Sequence, residues 1–359
     1  MKILFVTNAA PAALAGDAIT LASVRYRATL PAAALCELGW QAEVVSIEQA
    51  LDPGFRYAGD AIVLAQPKED RVVRGDLLPA LGGFIQRQRE AGIRLLLDVC
   101  DLKVGEPYQA QIGGILRDPK QAALCVHFYP ALMRVADRIV VPTPMLAQRI
   151  AEHVCASFHF SVVGDPVEVA TAPARFAPQP DAPLRLLWFG FFGAHAPAVA
   201  KFCREDLPRL AAIRPVEFTL LCEANAARHR DALAALAGPG VALRFAPWSV
   251  PALEAALAAC DATVFPIDLA ADTAVGKSNN RALQAFQAGR AVFAHPLASY
   301  RELDAFAAIA EDLVPALADA LKRPAACLAR TKAGQAHVAA HFSPAAIARQ
   351  WMDVLTLKP

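Results

Sequence analysis

Short apolar runs return along the whole of this 359-residue chain with helical patterns between them, and that alternation constrains its fold more than any other feature. In the first half the runs lie at 3–6, 42–45, 61–64, 94–98, 138–141 and 159–163. In the second half they lie at 185–189, 217–221, 242–245, 262–265 and 291–294. They are rich in Val, Ile, Leu and Phe and lack polar alternation, which is how strands buried on both faces read. Helical stretches separate them, among them 20–38, 76–91, 122–136 and 145–153. Strand, helix, strand in repetition makes right-handed crossovers and parallel sheets. The fold class is α/β.

The pattern pauses once. Residues 170–183 hold four prolines and no hydrophobic period, so they read as a linker. This predicts two Rossmann-like, doubly wound domains in series: residues 1–168, a linker over 169–183, and residues 184–341. Residues 342–359 start no further strand; Ser343 is a helix cap, Pro344 takes the first helical position, and an amphipathic face follows. Open parallel sheets present their C-terminal strand ends as binding crevices, so two such domains facing across a cleft are expected to hold a ligand between them.

Composition narrows the classes of function. With 56% apolar and 19% charged residues and a formal net charge of +1, the chain is globular and has no concentrated basic face for nucleic acid. Its eight cysteines show no CxxC spacing and sit mostly in apolar runs, so reduced, buried thiols are expected in place of a disulfide frame or a zinc site. No HxE or HExxH pattern supports a metal, and no resident cofactor is expected. The apolar start at residues 3–6 is shorter than the core of a leader peptide and reads as a first strand. No apolar stretch approaches the roughly 20 residues that span a bilayer. A cytoplasmic protein, with at most peripheral membrane contact, is the expectation.

One segment carries chemistry. Gly276-Lys-Ser-Asn-Asn-Arg281 lies between the run at 262–265 and a helical stretch at 282–288 that Gly289 is placed to stop. With Ser278 as a helix cap, Lys277, Arg281 and the free backbone N–H groups of Ser278 and Asn279 gather at a helix N-terminus, which suits a phosphate or diphosphate. Val275-Gly-Lys-Ser278 is not a P-loop: a glycine is required where Ala271 stands, and the loop from the strand is too long. Trp188-Phe-Gly190-Phe-Phe-Gly193 follows the first strand of the second domain, and Gly190 and Gly193 would let backbone approach the same anion. In the first domain, Asp98 and Asp101 end the fourth strand, where one could act as a base. Gly16 lies in the loop after the first strand. Arg25 and Arg27 fall on different faces of the first helix, so at most one reaches the site, and Arg25 is favoured.

Taken in order, these features resemble the GT-B glycosyltransferases. The segment 261–302 is similar to the signature of family 4 (the older group 1): strand, proline, nucleotide loop, helix, glycine, strand, then Ser-Tyr-x-Glu-Leu. More narrowly, Lys277-Ser-Asn-Asn-Arg281, Pro296-Leu-Ala-Ser-Tyr300-Arg-Glu-Leu303, Asp98-Val-Cys-Asp101 and Asp165-Pro166 with Glu168 resemble a poorly characterised bacterial branch of that group. The resemblance implies transfer of a sugar from a nucleotide-diphosphate donor, with retention and without a metal, to a glycan, lipid-linked or protein acceptor. It implies that Trp248 and Gln284 contact the nucleoside, that Gly16 and Arg25 lie on the acceptor side, and that the terminal helix crosses back to the first domain. Where the family carries two glutamates eight positions apart, this chain has Gly276 and Gln284. Two other readings therefore stand beside the transferase: a catalytically silent GT-B-like protein that binds a nucleotide sugar or a partner enzyme, and a sugar-nucleotide epimerase.

Overall fold

A computed structural model describes residues 1–8, 21–154, 158–269 and 276–357. The chain forms two compact units. The first comprises Met1–Pro166, Gly276–Ser278 and Phe342–Pro359; the second comprises Val167–Val275 and Asn279–His341.

In the first unit, strands β1 (Lys2–Thr7), β2 (Gln41–Ser46), β3 (Ala61–Ala65), β4 (Arg94–Asp98), β5 (Arg138–Val141) and β6 (Phe160–Val162) form one sheet in the order β2-β1-β3-β4-β5-β6. Every pairing is parallel. Successive side chains point to opposite faces, and both faces are covered, so the strands read as unbroken apolar runs. Leu4, Val6, Ile62, Leu64, Leu95 and Leu97 pack with Phe84 of the helix Leu78–Glu90 and Phe128 and Leu132 of the helix Pro119–Val135. Ile3, Phe5, Val63, Leu96 and Val140 pack on the other side with Ala32 and Leu35 of the helix Leu30–Glu37. Ile347, Trp351 and Leu355 of the helix Pro344–Thr356 complete that second layer. The Ser343 hydroxyl caps this last helix by accepting from Ala346 N–H. Trp351 is fully buried and meets Phe5 edge-on at 5.4 Å.

In the second unit, β7 (Leu184–Phe189), β8 (Val216–Cys222), β9 (Val241–Pro247), β10 (Ala262–Phe265), β11 (Ala291–Ala294) and β12 (Ala308–Ile309) form a parallel sheet in the order β12-β11-β10-β7-β8-β9. The strand order reverses between β7 and β10 here, and between β1 and β3 in the first unit. Loops leaving the C-terminal ends of strands at such a reversal are where open α/β sheets bind ligands.

Gly289 ends the helix Asn280–Gln287 as expected: its φ is +67° and its N–H bonds to Phe286 O at 2.8 Å. A Cβ there would lie 2.6 Å from Ala174 Cα and 2.7 Å from Pro173 O, both backbone atoms. Gly289→Ala is thus expected to cost the second unit at least about 2 kcal/mol, from the left-handed φ and the overlap together. Urea unfolding monitored on that unit checks this, and a loss under about 0.5 kcal/mol would contradict it. Among the described residues no helix is long and apolar enough to cross a membrane.

Candidate functional site

The first unit gathers charge at the C-terminal ends of its strands. Arg27 is 1% exposed, and its guanidinium takes both Asp98 oxygens (Nε–Oδ2 2.9 Å, Nη2–Oδ1 2.6 Å), Asp165 Oδ1 at 3.0 Å and the Val163 carbonyl at 2.7 Å. Burial opposes the charge on Arg27, but Asp98 and Asp165 outweigh it and raise the guanidinium's pKa. Burial likewise pushes the Asp98 carboxyl up, and Arg27 opposes that push.

Asp98 corrects an expectation. It is completely buried and both its oxygens are engaged by Arg27, so it cannot reach a substrate hydroxyl. Arg27 reaches the strand ends, where the expectation had favoured Arg25. The reason is local: residues Arg25–Thr29 form a π-helical turn between the helices Ala22–Val24 and Leu30–Glu37, and this wider turn shifts which side chain faces the sheet. Arg25 is itself buried, beside the Tyr26 ring. Gly16 lies outside the described residues.

Asp101 is the accessible carboxylate of the group. Lys277 Nζ lies 2.5 Å from its Oδ1, and the two side chains are 44% and 36% exposed. Gln66 Nε2 lies 3.5 Å from Oδ2. Gln66 sits just after β3 with φ +46°, and its Oε1 accepts from Cys100 N–H at 2.8 Å. A non-glycine residue held in the left-handed region marks a place where the surroundings fix the backbone. Ser278 departs from its expected cap role: the helix begins at Asn280 with Asn279 as N-cap, and the Ser278 hydroxyl donates to Asp165 Oδ2 at 2.6 Å. The backbone at Gly276 is packed; a Cβ would lie 2.9 Å from Leu146 Cδ1 and 3.5 Å from Leu102 Cβ. Burial pushes the neighbouring Cys100 thiol well up, with Asp101 and Asp98 adding to it, so it stays protonated.

In the second unit, Gly190 and Arg281 meet at the reversal of strand order. Gly190 has φ +150°, and a Cβ on it would lie 3.4 Å from Arg281 Nη1. The Arg281 guanidinium packs over the rings of Phe265 (5.1 Å) and Trp188 (6.0 Å). Its Nη1 is buried with no hydrogen-bond partner among the described residues. Arg281 lies in the first turn of the helix Asn280–Gln287, which holds no acidic residue. A cation at the positive end of a helix is placed against the dipole unless an anion joins it. Burial raises the pKa of the Tyr300 phenol and Arg281 beside it lowers it. Asn279 is buried, with Nδ2 bonded to Ser299 O at 3.2 Å.

Three other expected ligands are placed differently. The N–H of Gly193 bonds to Glu223 Oε1 at 2.9 Å and that of Phe192 to Oε2 at 2.7 Å, so the chain's own carboxylate occupies the start of the helix Phe192–Ala211. Gly190 N–H is likewise taken, by Leu221 O at 3.1 Å, and a Cβ on this glycine would touch the Arg281 and Trp188 side chains at 3.4–3.6 Å. Gln284 is 1% exposed, and its Oε1 accepts from Glu168 and Val169 N–H at 3.0 and 3.2 Å. That oxygen braces the segment entering the second unit and is closed to a ribose hydroxyl. Trp248 is half-buried after β9, its N–H bonded to Cys222 O. Sequence reasoning missed Gln66, Asp165 as an acceptor, and Glu223. Among the described residues no group of three or more His, Cys, Asp or Glu side chains is placed to hold a metal ion.

Two Rossmann-like units in series, each with its charged groups at the strand ends, define the GT-B fold. Solved structures of that fold superpose on the chain. A sucrose-phosphate synthase from Thermosynechococcus elongatus matches with a TM-score of 0.64 and 15% identity over 99% of this chain and 98% of the other. A trehalose-6-phosphate synthase, studied for glycosyl transfer with retention, matches with 0.58 and 13% over 99% of each chain. TarM from S. aureus, solved with fondaparinux, α-GlcNAc-glycerol and UDP, matches with 0.54 and 8% over 83% of this chain and 55% of the other. No family model and no curated protein matches the sequence.

Proposed function

We propose that the chain is a glycosyltransferase that moves a sugar from a nucleotide-diphosphate donor to an acceptor hydroxyl. The observation that carries this reading is Arg281: a guanidinium in the first turn of a helix that has no acidic residue there, with a buried Nη1 that has no hydrogen-bond partner among the described residues. A diphosphate supplies the missing charge. Lys277, four residues earlier on the same loop, is the second cation, and its role is to neutralise the departing nucleoside diphosphate. Asp101 is the carboxylate exposed enough to take the acceptor's proton. The GT-B neighbours support this, and we extend to this chain the retention for which one of them was studied. Chemistry without a metal belongs to the same proposal.

The test is a thermal-shift and calorimetric screen of UDP, GDP, ADP and dTDP on the wild type and on Arg281→Ala. One nucleotide at a hundred times its Kd is expected to stabilise the wild type by about 2.7 kcal/mol. Arg281→Ala should weaken that ligand about thirtyfold or more, since a buried charge-assisted contact is lost. Silence from all four nucleotides would sink the reading.

A second reading, a binding protein without turnover, draws on one observation. Where the resembled family places a glutamate, the Gly276 backbone is packed on Leu102 and Leu146. The Gly276→Glu, Gln284→Glu double variant is therefore expected to unfold more readily and to turn over no donor faster than the wild type. A gain in donor hydrolysis would show that the missing carboxylates limit the chemistry.

A further inference from the structure

The loop Gly276–Ser278 is held by two carboxylates of unlike kind. Asp165 is 5% exposed and is neutralised on one oxygen by Arg27, while its other oxygen holds the Ser278 hydroxyl at 2.6 Å. That contact is desolvated and fixed from behind by a guanidinium that cannot leave. Asp101 differs: it holds Lys277 through an ion pair in which both side chains are in partial contact with solvent. Exposed pairs of this sort contribute little net stability and exchange readily with other ions. The lysine's four-carbon stem lets its ammonium move while Ser278 keeps the backbone in place.

We propose that Asp101 is an exchangeable counter-ion for Lys277, displaced by a phosphate group when a nucleoside diphosphate binds. This rests on the nucleotide-sugar reading above and adds to it a coupling between donor and base. Asp101 Oδ1 is occupied by Lys277 Nζ at 2.5 Å. When the donor's phosphate takes the ammonium, Oδ1 is released. Oδ2 stays near Gln66 Nε2, and Gln66 is itself anchored by its N–H on Asp98 O at 2.9 Å and its Oε1 on Cys100 N–H. The carboxylate is thereby unmasked without losing its position. The acceptor's proton then passes to Oδ1, and the acceptor oxygen bonds to the anomeric carbon on the same face from which the phosphate departs, so that the carbon–oxygen bond to phosphate breaks with the configuration retained. The electron pair leaves with the nucleoside diphosphate, whose charge Lys277 meets. A base that stays paired until the donor is bound is exposed only when there is a sugar to transfer.

The experiment titrates inorganic pyrophosphate and UDP into wild type, Asp101→Asn, Lys277→Ala and the double variant by calorimetry. Removing the competing carboxylate should tighten pyrophosphate about fivefold, and Lys277→Ala should weaken it by a similar factor. The double variant should bind as Lys277→Ala does, because Asp101 acts through Lys277 alone. Asp101→Asn binding no tighter than wild type, with Lys277→Ala weaker, would overturn the exchange and leave the nucleotide site standing. Lys277→Ala binding as tightly as wild type would also overturn it, with Arg281→Ala then deciding the nucleotide reading separately. If no variant, nor the wild type, binds either ligand, both proposals fall.

Discussion

Replacing Arg27 by alanine should destabilise the first unit by about 3–5 kcal/mol, the cost of stranding a buried charge by removing its partner. Two carboxylates are stranded here, Asp98 at 0% exposed and Asp165 at 5%, and two carbonyls, of Val163 and Gly164, lose a donor. For a unit of this size the melting transition should fall by roughly 2–4 °C per kcal/mol. The deficit should also depend on pH. Burial already pushes the Asp98 carboxyl up, and Arg27 is what opposes it. Without the guanidinium, the folded-state pKa of this carboxyl rises further above its unfolded value. Folded protein then holds protons that the unfolded chain releases, so stability is lost as pH rises through the folded pKa. Arg27→Ala should accordingly be less impaired at pH 5 than at pH 8. Urea unfolding at both values is the check; a loss under about 1 kcal/mol, or one equal at both, would show that the pair is not the support described. Asp98→Asn introduced into Arg27→Ala should recover part of the loss at pH 8.

Trp351→Ala is the second large effect. The side chain is fully buried, edge-on to Phe5 at 5.4 Å and beneath the Arg27 guanidinium at 5.9 Å. Truncating an aromatic in such a core costs about 3–5 kcal/mol, and more of it where the site cannot collapse. Collapse is restricted, because Phe5 is fixed in the parallel pairing of β1 with both β2 and β3. Trp351→Phe should recover more than half of the loss. Hydrogen exchange at β1 is the discriminating readout: protection there should fall in Trp351→Ala while β7 and β8 keep theirs. Equal loss in both sheets would mean that the terminal helix supports more than the first unit.

The sheets were legible because their strands advertise themselves locally. Each apolar run named from the sequence coincides with an observed strand, and β12 alone was missed, since two residues, Ala308–Ile309, are too few to show a period. Gly289 was legible for the same local reason. The site was legible only in part. The Arg281 loop announces itself by composition, whereas the partners of Arg27 lie 71 and 138 residues away, a separation that one sequence does not encode visibly. The π turn that brings Arg27 into place has no compositional mark. Gln284 shows a further limit: an amide at a ligand position in the resembled family is here a brace for backbone N–H groups. Glu223 is the converse, a residue unremarkable in sequence that occupies a helix start which glycines had suggested for phosphate.

The first unit is assembled from three stretches of chain, and the whole of the second unit is spelled out before the last of them, Phe342–Pro359. On a ribosome, the sheet translated first must wait for Ile347, Trp351 and Leu355 to cover one of its faces. The half translated later reaches the end of its own sequence at His341 and can close before then. The residues that cover that face are therefore the last part of the first unit to be translated. During that interval, with synthesis at about 5–20 residues per second, the exposed face of the N-terminal sheet is the surface a chaperone would meet.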